Sequence, residues 1–503
     1  MDAIRAALVA GTPVTATFGF NFRAGTPQGA KIVDLPSTDK IASFTSRGGT
    51  PADGFLKPDV GAPGLHTFSA NAGTGNEGLD ESGTSMATPH TAGNAALVKS
   101  AHPGYSPEEV KAALVNTASG VLTTGGQGKG IEYGVGRVGA GRIDGFDAVG
   151  SSVLAFVQDG SGSVGLGFGP VAATDGLSRK KIVRVENFGE RPVRYRLSYA
   201  SAEDVPGVTF EVPKRITVPA ARRGGGPGVA NFTVTMRVSD VAALRKTPDP
   251  TVELTQVGLP RDFVAEENGR ILLTPVAGRT LRLPAAVAVR PASQMRAPEH
   301  LGSTTRTPGS STLSTGAVKL AGTPVVNGPL GQPDSVNGLL GGFQLQASSP
   351  ELAPCAATQR NQCLHFPSQR DGDIQYVGAT STGADPAKDV VGIALTTFGT
   401  WISPAYNATA RGVSGEIAAI VTIDTNGDGK DDREIDVTRI APNTDVDVAE
   451  TYALPSNKVV DDQFLNGVPG STDSNVFNSN AMVLPVSVEA LGLPAGSTTI
   501  SYT

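Results

Sequence analysis

The spacing of apolar residues changes character along the chain. After residue 84, Met86, Pro89, His90, Gly93, Ala96, Leu97 and Ser100 recur at helical intervals, with Ala87, Ala92 and Ala95 as small neighbours. A helix lined with Ala and Gly lets its neighbours approach closely, so it is expected at the buried centre of a domain. A second helix is predicted at YSPEEVKAAL: Ser106 is a good N-cap, Pro107 suits the first helical position and Glu109 completes a capping box. Its apolar face would be Val110, Ala113 and Leu114. From about 38 to 149 the pattern is therefore α/β. From about 150 to 292 the period becomes two. Val193, Tyr195, Leu197 and Tyr199 alternate with Arg194, Arg196 and Ser198, and GVTFEV and NFTVTMRV repeat the alternation. Short strands between Gly and Pro turns predict an antiparallel sandwich. The Ser/Thr/Pro/Gly-rich stretch at 293–315 reads as a linker. A second β-rich region, 316–503, offers strands at DIQYVGA, VVGIALTTFGTW, EIAAIVTID and REIDVTRI.

Composition agrees with a turn-rich β protein. Only 17% of the 503 residues are charged, whereas Gly (63) and Pro (36) are abundant. The net charge of −6, from 41 basic and 47 acidic residues, gives no nucleic-acid footprint and no basic membrane-binding surface. No apolar run reaches the roughly 18 residues of a transmembrane segment. Cys355 and Cys363 flank the polar segment AATQRNQ and could close a small disulfide loop in an oxidising compartment. Both ends of the chain are abrupt. MDAIRAALVAGTPVTATFGF runs from a short amphipathic helix (Ile4, Ala7, Leu8) into an alternating strand (Val14, Ala16, Phe18), and the far end stops at Ile500 and Tyr502 of another alternation. A piece of a longer chain is expected.

The chemistry concentrates in GTSMATPHTAG at 83–93. A catalytic serine is often presented where a turn enters a helix, because its own N–H and the helix N-terminus then face a developing oxyanion. Ser is also a favoured N-cap, which is the plain alternative for Ser85. The segment resembles the serine signature of the subtilisin-like peptidases (subtilases). SFTSRGGTPADGFLKPDVGAPG at 43–64 is similar to the family's run before the serine, and YSPEEVKAALVNTA and GVGRVGAGRIDGFDAV resemble the last helices of its catalytic domain. The resemblance implies that Ser85 is the nucleophile, that its N–H is half of the oxyanion hole, and that Thr84 lies beside the oxyanion as an auxiliary polar group. It implies an α/β catalytic domain, a parallel sheet with helices, whose C-terminal part is residues 38–149.

A serine needs a base and a carboxylate to orient that base. The chain has five histidines: His66, His90, His102, His300 and His365. His90 follows Ser85 by five residues, so on a helix the two side chains diverge by about 140° and rise by about 7.5 Å. They cannot meet, and in the family this histidine is structural. Neither His66 nor His102 lies in a segment like the family's His-Gly-Thr-His, and no Asp-Ser-Gly or Asp-Thr-Gly segment and no oxyanion asparagine segment is found. Family order is Asp, His, Asn, Ser, so the missing elements are expected upstream. DAIRAALVAGTPVTATF resembles the end of a protease-associated (PA) insert, which makes 1–37 its tail and the return to the catalytic domain. The sandwich at 150–292 resembles the fibronectin-like domain of cell-envelope and secreted subtilases.

IDTNGDGKDDREID places Asp424, Asn426, Asp428 and Asp432 at alternating loop positions, with Lys430 offering its carbonyl, as a calcium loop does. Ile435 stands where an EF-hand has its bidentate glutamate, and a solvated hairpin turn is the alternative. NFT at 231 and NAT at 407 fit the glycosylation pattern, and Trp401 is expected to pack against a sheet. Taken together, the resemblance implies a secreted or cell-envelope serine endopeptidase acting on polypeptide substrates. Catalysis would need no cofactor, calcium would be structural, and this chain alone would be nearly inert without the Asp and His. The competing expectation is a non-catalytic β-domain binding or surface protein with a vestigial peptidase segment.

Overall fold

A computed structural model of the chain describes residues 38–48, 56–119, 122–222, 224–244, 249–260, 266–291, 342–381, 389–401, 419–441, 444–466, 479–493 and 500–502, apart from single positions inside those ranges, together with 319, 321 and 322. The opening segment 1–37, the linker 293–315, His300 and Asn407 lie outside the described residues.

The peptidase-like segment holds an antiparallel ribbon, β1 (Thr67–Ala70) with β2 (Gly78–Glu81), then α1 (Thr84–Ala101), α2 (Pro107–Thr117), α3 (Val135–Val138) and α4 (Gly145–Val149). Helix α2 starts as its sequence dictates. The Ser106 hydroxyl accepts from the Glu109 N–H, the Glu109 carboxylate accepts from the Ser106 N–H, and Pro107 opens the first turn. Its apolar face, with Val110, Ala113 and Leu114, is buried. Helix α1 departs from expectation. It buries Val98 alone, and Leu97 stays 59% exposed. Small side chains permit close packing but do not supply a neighbour, and among the described residues nothing covers most of this helix. Nor do the described residues of 38–149 contain a parallel sheet: their parallel pairing is the single bridge between Gly61 and Arg142.

Two sheets follow and share one core. One has the order β4 (Leu166–Ala173), β13 (Leu281–Pro291), β12 (Glu266–Pro275), β6 (Val193–Glu203), β8 (Arg215–Val218). The other runs β3 (Val153–Val157), β5 (Leu177–Asn187), β9 (Gly228–Val238), β7 (Val208–Glu211). A two-residue ribbon, β10 (Thr255–Gln256) with β11 (Leu259–Pro260), stands apart. Period-two sequence becomes inside and outside here: Val183, Val185, Phe232, Val234 and Met236 meet Leu197, Ile271, Leu273 and Leu283 across the core. Each such side chain contributes about 1.5–3 kcal/mol when fully buried. Helix α2 packs on β3 and β13, and Asn116, wholly buried, accepts from the Ala155 N–H and donates to the Arg282 carbonyl.

The C-terminal region repeats the principle. The sheet β14 (Gln344–Ser348), β15 (Ile374–Ser381), β16 (Val390–Trp401), β21 (Ser479–Ser487) shares a core with β20 (Lys458–Phe464), β19 (Asp447–Ala453), β18 (Arg433–Arg439), β17 (Ile420–Asp424), β22 (Ser501–Tyr502). A single turn, α5 (Val488–Leu491), follows β21. Trp401 is completely buried between these sheets. Cys355 and Cys363 form a disulfide, and backbone bonds between Cys355 and Leu364 and between Leu364 and Ala353 close the same loop.

Candidate active site

Ser85 lies in the first turn of α1. Gly83 is the N-cap and contributes no side-chain cap, so the capping alternative for Ser85 does not hold. The turn is strapped to the loop before it: the Gly83 N–H donates to the Gly64 carbonyl at 2.8 Å, and the His66 N–H donates to the Ser82 hydroxyl at 2.9 Å. A Cβ on Gly64 would sit 2.7 Å from the Gly83 carbonyl oxygen, so only glycine allows this approach. Among the described residues neither the N–H nor the hydroxyl of Ser85 has a hydrogen-bond partner, and the side chain is exposed. The first N–H groups of a helix are intrinsically unpaired, which leaves a donor beside a free hydroxyl at the positive end of an 18-residue helix. Thr84 is exposed next to it, and its carbonyl accepts from the Thr88 hydroxyl.

The histidines are engaged elsewhere. His90 Nδ1 bonds to the Met86 carbonyl at 2.9 Å, within the helix. His102 Nε2 bonds to the Val149 carbonyl at 2.7 Å and stacks on Tyr105, whose hydroxyl is pushed up to about 12 by burial and by nearby Glu109 and Glu186. Those contacts anchor the end of α1 to α4. His66 Nδ1 lies 3.4 Å from Asp80 on the exposed ribbon, and His365 Nε2 bonds to the Arg360 carbonyl. None of the four is a base poised on Ser85.

A second feature carries no sequence pattern. Arg47 forms ion pairs with Asp249 and Glu203 where the peptidase-like segment meets the first pair of sheets. Glu266, Glu267 and Asn268 are buried nearby, Asn268 accepts from the Val135 N–H, and Arg270 pairs with Glu132. Glu203 is pushed up to about 8, chiefly by burial and with Asp249 and Glu266 adding to it, while Arg47 and Asn268 oppose the shift. Glu267, accepting from the Tyr199 hydroxyl and the Val205 N–H, is pushed up to about 7, chiefly by burial. A Cβ on Gly134 would sit 2.0 Å from Glu203 Oε1, so a larger residue there would require the buried Glu203 carboxylate to move.

The calcium-type loop forms the β17–β18 hairpin. Asp424 accepts from the N–H groups of Asn426, Gly427 and Gly429, bonds that hold its carboxyl below the usual carboxylate range. Asp432 accepts from the N–H and hydroxyl of Thr425, Asn426 from the Asp428 N–H, and Asp428 from the Lys430 N–H. Gly427 and Gly429 both take φ near +80°, which only glycine adopts without strain. The donor set is all oxygen, as a hard cation requires, yet the turn satisfies itself through its own amides. Ile435 is buried in the core and offers no ligand.

Comparison with known proteins falls on the serine segment. The Subtilase family (Peptidase_S8) matches residues 15–138. Subtilisin-like protease SBT4.12 of Arabidopsis thaliana is 41% identical over 114 residues, covering 21% of this chain and 15% of the relative. Subtilisin-like protease SBT4.14 of the same plant is 31% identical over 216 residues, covering 39% of this chain and 27% of the relative. The chain thus spans about a quarter or less of these relatives' length. Among solved structures, a PapD-like domain of human CEP192 aligns over 28% of this chain at 13% identity with a TM-score of 0.16, too slight to argue from. Over residues 15–138, around Ser85, the chain matches the Subtilase family, and its similarity to the subtilisin-like proteases is a similarity to part of their length.

Proposed function

We propose that the chain supplies the nucleophile of a subtilisin-type serine endopeptidase. The observation that carries this is the exposed Ser85, with hydroxyl and N–H both unpaired among the described residues, at a helix N-terminus inside the subtilase match. Ser85 Oγ attacks the peptide carbonyl carbon while a histidine takes its proton. The Ser85 N–H holds the oxyanion, and Thr84 lies beside it. The histidine then protonates the departing amine, and water releases the acyl group from Ser85. The four described histidines are occupied elsewhere; on this reading the histidine and its aspartate come from other segments, and this chain is a part of the catalytic unit. The relatives' name, subtilisin-like protease, agrees with polypeptides as substrates.

The same reading makes residues 1–37 the tail of a PA insert, 38–149 the late part of a parallel α/β domain, and the sheets of 150–292 a fibronectin-like module. The Cys355–Cys363 disulfide supports an exported protein, free or at the cell envelope. No described helix is long and apolar enough to cross a membrane. Calcium at Asp424, Asn426, Asp428, Asp432 and the Lys430 carbonyl would clamp the β17–β18 hairpin and take no part in catalysis. Joining the chain to subtilase segments bearing the aspartate and histidine should give protein hydrolysis, and Ser85→Ala should lower it by roughly 10⁴-fold or more. Hydrolysis unchanged by Ser85→Ala would sink the assignment.

A further inference from the structure

The outer face of the five-stranded sheet has two surroundings. On β12 and β13 it lies under the peptidase-like segment: Arg270 donates to the Ala140 and Gly139 carbonyls, and Arg282 donates to that of Ala118. On β6 and β8 the same face is open and basic. Arg194 and Arg196 alternate outward with buried Tyr195 and Leu197, and Arg215 and Thr217 point outward on β8. Arg196 stands directly opposite Arg215, and Arg194 opposite Thr217. Exposed Lys214 precedes Arg215. Exposed Arg191 and Arg222 lie at the other end of this edge, where the Ala221 N–H donates to the Gly189 carbonyl. On the opposite sheet Arg184 pairs with Glu186 and Arg237 with Glu211, and Lys181 pairs with Asp159, although exposed Lys180 has no carboxylate among the described residues. Among the described residues, Arg194, Arg196, Lys214 and Arg215 have none. Like charges placed directly opposite across a strand pair destabilise it, so this arrangement works against the fold unless anions cover it.

The backbone of β8 is open too. It is the last strand of its sheet. The Leu197 N–H donates to the Lys214 carbonyl, which marks those two residues as a hydrogen-bonded pair of the ladder. Such pairs alternate in an antiparallel sheet, so Arg196–Arg215 and Arg194–Thr217 are the non-hydrogen-bonded pairs. Their side chains stand closer together, and the N–H and C=O groups of Arg215 and Thr217 point away from β6, toward the free edge.

We propose that β8 accepts an extended acidic polypeptide segment as an added strand, its alternate Asp or Glu side chains lying over Arg194, Arg196 and Arg215. The free N–H and C=O groups select a peptide, which can continue the ladder, over another polyanion, which cannot. Alternate residues on β6 and on an extended peptide both repeat every ~6.6–6.8 Å, so guanidiniums and carboxylates stay in step. Arginine's planar fork suits carboxylates, and Tyr195 is buried, so this face lacks that ring for stacking bases. The inference goes beyond the peptidase reading, and binding does not depend on Ser85. Because this face also carries the peptidase-like segment, a polypeptide held on β8 is held beside it.

The test is fluorescence anisotropy with the full chain and two labelled seven-residue peptides of equal composition, one with glutamates at alternate positions and one with them consecutive. The alternate peptide should bind about ten-fold tighter, since consecutive glutamates cannot all face the arginines. Binding should weaken with salt. Arg196→Gln and Arg215→Gln should each weaken it by about three- to five-fold. Thr217→Pro, which removes an outward N–H, should abolish the preference for the alternate peptide; a peptide N-methylated on its ladder-facing amides tests the same bond with the protein unaltered. Equal binding of both peptides, indifference to N-methylation, or binding of polygalacturonate with no binding of either peptide would overturn the proposal.

Discussion

Helices α1 and α2 are neighbours of opposite character. The shorter, α2, with 11 residues, is closed at its start by a reciprocal cap and buries seven of its side chains against β3, β13 and the helices beside it. The longer, α1, with 18 residues, has no side-chain cap and buries only Val98. One helix is finished by its own sequence and the sheets that follow it. The other leaves Ser85, and an apolar groove with α2 lined by Ala95, Ala96, Lys99, Val110 and Leu114, uncovered among the described residues. The first pair of sheets anchors the peptidase-like segment from one side, while among the described residues the side that bears Ser85 stays open.

The largest effect should come from the anchor itself. Glu203 has a folded-state value near 8 against an ordinary 4.5. A raised carboxyl stabilises the folded state below 4.5, and that contribution is lost as pH rises through about 8. Thermal unfolding of the anchored segment should therefore fall in temperature between pH 4.5 and 8.5, by a free energy on the order of a few kcal/mol. Glu203→Gln should reduce the fall, with Glu267, also raised, to about 7, supplying what remains, and a profile that rises over that window would contradict it. Next in size is Asn116→Ala, which leaves the Ala155 N–H and the Arg282 carbonyl unpaired and should cost about 2–3 kcal/mol in urea unfolding.

Smaller effects separate the helices directly. Ser106→Ala should cost about 1 kcal/mol, read as a lower urea midpoint, because it removes half of the capping box. Leu97→Ala should stay within about 0.5 kcal/mol, since the side chain is 59% exposed. A cost near 2 kcal/mol at Leu97 would show that α1 is packed after all. In a completed catalytic unit the same Leu97 substitution should become expensive, which would sharpen the contrast.

The legible parts were those with local causes. The capping box at Ser106 and Glu109, the alternation through Tyr195 and Leu197, and the strand Val390–Trp401 each follow from residues a few positions apart. Trp401 packed as its apolar surroundings implied. What stayed hidden depends on residues far apart in the chain. Arg47 meets Asp249 across 202 positions, and Arg270 meets Glu132 across 138. Asn116 read as an ordinary helix residue, although it ties α2 to β3 and β13. The small-residue pattern of α1 signalled room for a close neighbour without saying whether the described residues hold one. The Ser85 turn was recognisable as a motif, but the glycine contact from Gly64 to Gly83 that shapes it appears only in three dimensions.

The central claim, that Ser85 is a nucleophile awaiting its base, is tested most directly by the rate at which a fluorophosphonate labels it, followed by mass spectrometry of the residue. Alone, the chain should be labelled at Ser85 no faster than at other exposed serines; joined to the aspartate- and histidine-bearing subtilase segments, labelling should accelerate by roughly 10³-fold or more and vanish with Ser85→Ala. Rapid labelling of Ser85 in the chain alone, or none in the completed unit, would contradict the account.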